Sequence, residues 1–157
     1  MIPQIMQQVL GFNHILITRN TAGVDHAASL VTHAGSNCAN WILGHILCIR
    51  VDLMTQLGLE RLLDETEQAR YQRGRSGQDP DWLPFTVLLE RFELSQQALL
   101  KQMPLMDAAR CESPGSLGPY QDRPMREVLV GFGQHEAYHA GQLGILRHSM
   151  GLEPAFR

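Results

Sequence analysis

The sequence predicts an all-α fold, one domain over residues 1–157 arranged as a four-helix bundle. Four stretches repeat apolar residues at intervals of three and four, the spacing of an amphipathic helix. Segments rich in glycine and proline separate them, and no strand-like alternation of four or more residues competes. A chain of 157 residues, 44% apolar and 18% charged, is long enough to bury a core without disulfides.

The first helix covers residues 3–19, where Ile5, Met6, Val9, Leu10, Phe12, Ile15 and Leu16 carry the apolar pattern. Residues 21–35 form a connection with a short helical turn from Asp25. Ser36 or Asn37 caps the second helix by taking up an otherwise unpaired amide, and Gly58 ends it. At about 100° per residue, the face through His45 also holds Cys38, Trp41, Ile42, Ile49 and Asp52. The run LERLLDETEQAR prolongs this helix or forms a short one, and no regular structure is expected through residues 74–80. Pro84 opens a third helix, which carries Val87, Leu88, Phe92, Leu94, Ala98 and Leu99 toward Met103. The segment CESPGSLGPYQDRP is expected to be loop. Asp122 and Pro124 mark the start of a fourth helix, running to Met150 with Gly151 as its stop. Its stripe is Val128, Gly131, Phe132, His135, His139, Gln142 and Leu146.

A net charge of −3, with no basic stripe, argues against a nucleic-acid partner. Apolar runs such as residues 41–47 fall well short of the roughly 20 residues that span a bilayer, so no membrane association is expected. Cys38, Cys48 and Cys111 are odd in number and irregularly spaced, and the opening MIPQIMQQVLGFNH has no secretory pattern. Free thiols in a reducing cytoplasm follow as the expectation.

Chemistry concentrates in GFGQHEAYHAGQLG, residues 131–144. His135 and His139, four apart on a helix, stack on one face about 6 Å apart, a bidentate metal spacing. The letters also fit H-E-x-x-H, in which the Glu of a zinc protease is the general base. A catalytic zinc usually takes three protein ligands, and His45, mid-helix on the buried stripe of the second helix, supplies the third. Three imidazoles on two inward stripes are costly to bury without a shared purpose. Imidazole suits zinc, nickel, copper or iron, so the ligand type does not fix the identity of the metal. Glu136 is a base, an acceptor supporting a ligand, or an ordinary interhelical partner. Gln142 hydrogen-bonds a water on the metal or packs the bundle end. His14, His26, His33 and His148 sit at helix ends or in connections, where surface and capping roles are expected.

Residues 40–47, NWILGHIL, and residues 135–143, HEAYHAGQL, resemble the two signature segments of the DinB superfamily of DinB and YfiT-like metalloenzymes. The resemblance extends through helix order and loop placement. It implies long crossover connections in the bundle, a homodimer, and a divalent metal, nickel or zinc, on His45, His135 and His139. Better-understood members are S-transferases or isomerases that use a low-molecular-weight thiol. On that basis Arg50, Arg73 and Arg75 are candidate contacts to carboxylates of the thiol.

The leading expectation is therefore a metal-dependent transferase of the S-transferase-like kind, acting on a small-molecule electrophile. The alternatives are a small-molecule hydrolase with Glu136 as base, or a non-enzymatic dimer that binds metal or ligand. A zinc protease is disfavoured because no sheet is expected to pair with a peptide.

Overall fold

Apolar spacing and capping residues together set the helices of the computed structural model, which describes residues 2–32, 35–75 and 81–156. His33 and most of the loop expected at residues 74–80 lie outside the described residues. Helix α1 spans Ile2–Thr21, and α2 is the short turn His26–Ser29, capped by the Asp25 carboxylate accepting from the Ala28 amide. Helix α3 spans Ala39–Gln56. Its cap is Cys38, whose Sγ accepts from the Trp41 amide at 3.5 Å, and neither Ser36 nor Asn37 takes that place. At its other end Gly58, at φ 73°, lets the Gly58 and Leu59 amides bond back to Thr55 and Met54 carbonyls, which closes the helix.

The run after Gly58 forms a separate short helix α4, Glu65–Arg70, started by a reciprocal capping box between Asp64 and Glu67. Helix α5, Phe85–Gln102, follows Pro84 and continues into a 3-10 turn at Met103–Leu105. Helix α6 is Ala108–Glu112, and α7 runs Met125–Ser149, stopped at Gly151, φ 72°.

The segment expected to be loop instead contains an antiparallel hairpin, β1 Pro114–Leu117 and β2 Tyr120–Pro124. Its two-residue turn is Gly118-Pro119. Gly118 at φ 54° followed by a proline, whose φ is held near −65°, matches a type II′ hairpin turn. Gln56 clamps the hairpin to α3, donating to the Ser116 carbonyl at 2.7 Å and accepting from the Ser116 amide at 2.8 Å.

The long helices pack in a closed order: α1 against α7, α7 against α3, α3 against α5, and α5 against α1. Helix α3 is buried on nearly every side, so its expected single stripe understates its contacts. On α1 the buried positions include Met6, Leu10, Asn13 and Ile17, whereas Ile5, Phe12 and Ile15 of the expected stripe are exposed.

Two apolar clusters fill the interior. One gathers Ile17, Ile42, Leu43, Ile46, Leu47, Tyr71, Trp82, Phe85, Leu88 and Leu143, and the other Met6, Leu10, Leu53, Leu99, Met103, Met125, Leu129 and Phe132. Along the four long helices, the residues between the clusters are polar and buried: Asn13 on α1, Arg50 on α3, Ser95 and Gln96 on α5, and Glu136 on α7. Arg50 is the hub of this layer. Its Nε donates to Glu136 Oε1 at 2.5 Å, Nη1 to Ser95 Oγ at 2.8 Å and the Phe92 carbonyl at 3.2 Å, and Nη2 to Gln96 Oε1 at 2.9 Å. The Phe92 ring lies 4.0 Å from the guanidinium carbon. Gln96 passes the network to the Leu10 carbonyl, and Asn13 bonds the Gly133 carbonyl. A helix sliding by one turn would strand these groups unpaired, so the layer fixes the register of all four helices.

Candidate metal centre

His45 sits in the middle of α3, and His135 and His139 one turn apart on α7, where the two helices pack together. The three rings converge. One ligand-capable atom from each lies within 4.8 Å of the others, and the ring centroids are 4.5 to 5.1 Å apart.

Neighbouring acceptors choose which nitrogen each ring offers. His45 Nδ1 lies 2.8 Å from the Tyr71 carbonyl, so that nitrogen carries the proton and Nε2 keeps its lone pair. His139 Nδ1 lies 2.7 Å from Gln142 Oε1, with the same consequence. Outer partners of this kind orient imidazole ligands in metal sites. His45 Nε2 and His135 Nε2 are 3.2 Å apart. Two nitrogens bound tetrahedrally to one cation at 2.0–2.1 Å would stand about 3.3 Å apart, so the pair already has the spacing of co-ligands. His135 Nδ1 is buried without a partner among the described residues. The donor set therefore fits a divalent cation held by three imidazole nitrogens.

Burial favours the neutral, metal-competent rings. Loss of solvent, reinforced by the charges of His139 and His45, pushes His135 down to about 3. Loss of solvent pushes His139 down to about 4 against its bond to Gln142, and lowers His45 against its bond to Tyr71. An unfolded histidine takes up its proton near 6.5. Between that value and the lowered folded ones, the unfolded chain binds protons that the folded site refuses. The metal-free protein is thus expected to lose stability from pH 7 to pH 5, with a smaller loss in His135→Ala. Urea midpoints at the two pH values check this, and parallel losses in the two proteins would contradict it.

The triad lies in the wall of a cavity of ≈ 520 Å³ lined also by Trp41, Arg73, Tyr138 and Gln142. Trp41, one turn before His45, stacks on its ring at 4.8 Å with the planes 7° apart. Tyr138 packs edge-on against His139 and its hydroxyl accepts from Gln142 Nε2 at 3.2 Å. Arg73 contributes the guanidinium of the cavity.

Behind the triad stands Tyr71, fully buried, whose hydroxyl accepts from the Leu83 amide at 2.8 Å. Its ring lies against Gly44, where a Cβ would overlap the ring atoms. Gly44→Ala must move the residue that supplies the His45 acceptor. The expected result is a loss of about 1–3 kcal/mol in stability together with roughly 10–100-fold weaker metal binding. Denaturation and metal titration of the variant check both, and wild-type values in both would contradict the packing argument.

Several expected site residues stand elsewhere. Glu136 is fully buried, paired with Arg50, and does not line the cavity, because the buried face of α7 runs through Val128, Phe132, Glu136, His139 and Leu143. Of the roles weighed for Glu136, its pairing with Arg50 favours the interhelical partner over the base. Arg50, expected to contact a thiol, is fully buried in the same pair. Of the three arginines only Arg73 reaches the cavity; Arg75 is exposed and does not line it. Gln142 is at the site and holds His139. His14 is also corrected: it lies inside α1, stacked on Phe92 at 5.3 Å with Nε2 3.1 Å from Glu93. His26 Nδ1 accepts from the Phe85 amide at 3.3 Å, a capping role.

Tyr71, which acts through a backbone carbonyl and leaves no signal, was missed from sequence, whereas Trp41, placed by its spacing on the face through His45, lines the cavity. Among the described residues no helix is long and apolar enough to cross a membrane. The sequence matches no described protein family and no curated protein.

Proposed function

We propose that the protein is a divalent-metal-dependent transferase that joins a low-molecular-weight thiol to a small electrophile, on a four-helix bundle of the DinB kind. The observation that carries this reading is the triad itself: three neutral imidazoles, two with Nδ1 tied to acceptors, at the wall of a cavity of small-molecule size. The closed packing order of α1, α7, α3 and α5 supports the bundle. Nickel or zinc fits the nitrogen donors. Ile5, Phe12 and Ile15, exposed on α1, are suited to be covered in a homodimer. The free buried cysteines suit a reducing cytoplasm.

His45, His135 and His139 hold the cation. When bound, it would supply the positive charge that favours the thiolate form of an incoming thiol. Arg73 offers its guanidinium to a carboxylate of the thiol. Trp41 and Tyr138 wall the cavity and exclude water from one side of each reactant. The sulfur forms a bond to the electrophilic carbon, the leaving group departs with the bonding pair, and the thiol proton passes to solvent.

Hydrolysis with Glu136 as base is disfavoured, since its carboxylate is engaged by Arg50 inside the core. The test is consumption of glutathione by a panel of alkyl and aryl halides, with zinc or nickel present. Wild type should exceed background and His45→Ala should lose at least about a hundredfold. Equal rates in the two proteins would end the transferase reading.

A further inference from the structure

The geometry points to a second subsite beside the hairpin turn, which takes an uncharged apolar group, such as a phenyl ring, of the electrophile whose reacting carbon lies at the triad. This rests on the transferase reading above. A separate cavity of ≈ 350 Å³ lies between the hairpin, α3 and α7, walled by Ile49, Leu117, Pro119 and Tyr120, with Gln134 and His135 as its polar side chains. His135 lines this cavity and the triad cavity alike. Both spaces therefore meet at one residue of the triad, so an apolar group held beside the hairpin turn stands next to the ring that carries the candidate ligand atom.

The wall is built to stay in place. Gly131 leaves room on α7 for the Tyr120 ring, which a Cβ there would overlap. Leu117 is buried, Gln56 clamps the strand before the turn, and the Met125 amide bonds the Ser113 carbonyl at 2.9 Å where the hairpin meets α7. A pre-formed apolar surface with few polar groups is the usual form of a small-molecule site.

The lining also chooses the occupant. Among the described residues no Asp, Glu, Lys or Arg lines this cavity, so a carboxylate or ammonium placed there would lose water without gaining a partner from them. Arg73 lines the other cavity. The two spaces thus sort the reactants: the charged thiol on the Arg73 side, the apolar part of the electrophile on the hairpin side. An apolar cavity of roughly 150 Å³ accommodates benzene, so this one has room for a ring and a short arm.

Two substitutions fill the space from opposite walls. Ile49→Trp does so from α3, and Gln134→Trp closes the mouth from an exposed position on α7, where folding is not at stake. The unreactive probe is benzyl alcohol, titrated into metal-free protein while backbone amide resonances are followed. Saturable shifts are expected at Leu117, Gly118, Tyr120 and Gly131, with binding at least about tenfold weaker in Gln134→Trp. Zinc affinity of that variant should change by less than the roughly tenfold that loss of an outer partner costs. In turnover, the ratio of kcat/KM for benzyl chloride over methyl iodide should fall about tenfold or more. Shifts that are absent, that map elsewhere, or that are unchanged in both variants overturn the subsite, as does an unchanged ratio. Shifts at the hairpin with no turnover of any electrophile leave the apolar subsite standing and overturn the transferase reading instead.

Discussion

Glu136→Ala is expected to cost about 3–5 kcal/mol of stability, because it leaves the Arg50 guanidinium buried without its counter-charge. Both side chains have no solvent exposure, and Arg50 is held on four sides by Glu136, Ser95, Gln96 and the Phe92 carbonyl. For a chain of this length the loss corresponds to a fall in Tm of roughly 6–20 °C. Arg50→Lys should not rescue the layer, since an ammonium cannot reproduce the planar fork that reaches α5 and α7 at once. The double variant Arg50→Met with Glu136→Leu removes both charges together and is expected to regain most of the loss, as hydrophobic replacements of buried pairs often do. Chemical denaturation of the wild type, Arg50→Met, Glu136→Leu and the double variant gives the coupling directly. A change below about 1 kcal/mol in Glu136→Ala would mean that the carboxylate is not paired in the core. It would also restore Glu136 as a candidate base.

Removing any one of the three imidazoles is the second large effect. With His45→Ala or His139→Ala the site keeps two nitrogens, and metal affinity should fall by more than the 10–100-fold that an outer partner is worth. The loss is readable without an assay of turnover. At a zinc concentration a hundred times its dissociation constant, the wild-type protein gains about 2.7 kcal/mol of stability. Neither variant should gain a measurable fraction of it at that concentration. Comparable zinc stabilisation in His45→Ala would place the ion on other ligands.

The parts legible from sequence were those whose signal is local. His135 and His139 declare themselves four residues apart, and the helix ends follow from Asp25, Gly58, Pro84, Pro124 and Gly151. His45 was legible through its position on the second helix. Long-range pairing was not. The partner of Glu136 lies 86 residues away, so the letters around it left its base, acceptor and interhelical roles all open. The hairpin was missed because its strands are only 4 and 5 residues long and begin or end in proline, which argues against strand. The Gly118-Pro119 pair was the available sign. On α1, seven apolar residues were too many for one buried face, and burial took Met6 and Leu10 from among them, added Ile17, and left Ile5, Phe12 and Ile15 outside.

The most direct test of the metal centre is an anomalous difference map from crystals grown with zinc or nickel, recorded at the absorption edge of the ion. One peak is expected about 2.0–2.1 Å from the Nε2 atoms of His45, His135 and His139. A map with no peak among these rings, or with the ion on ligands elsewhere, would contradict the account.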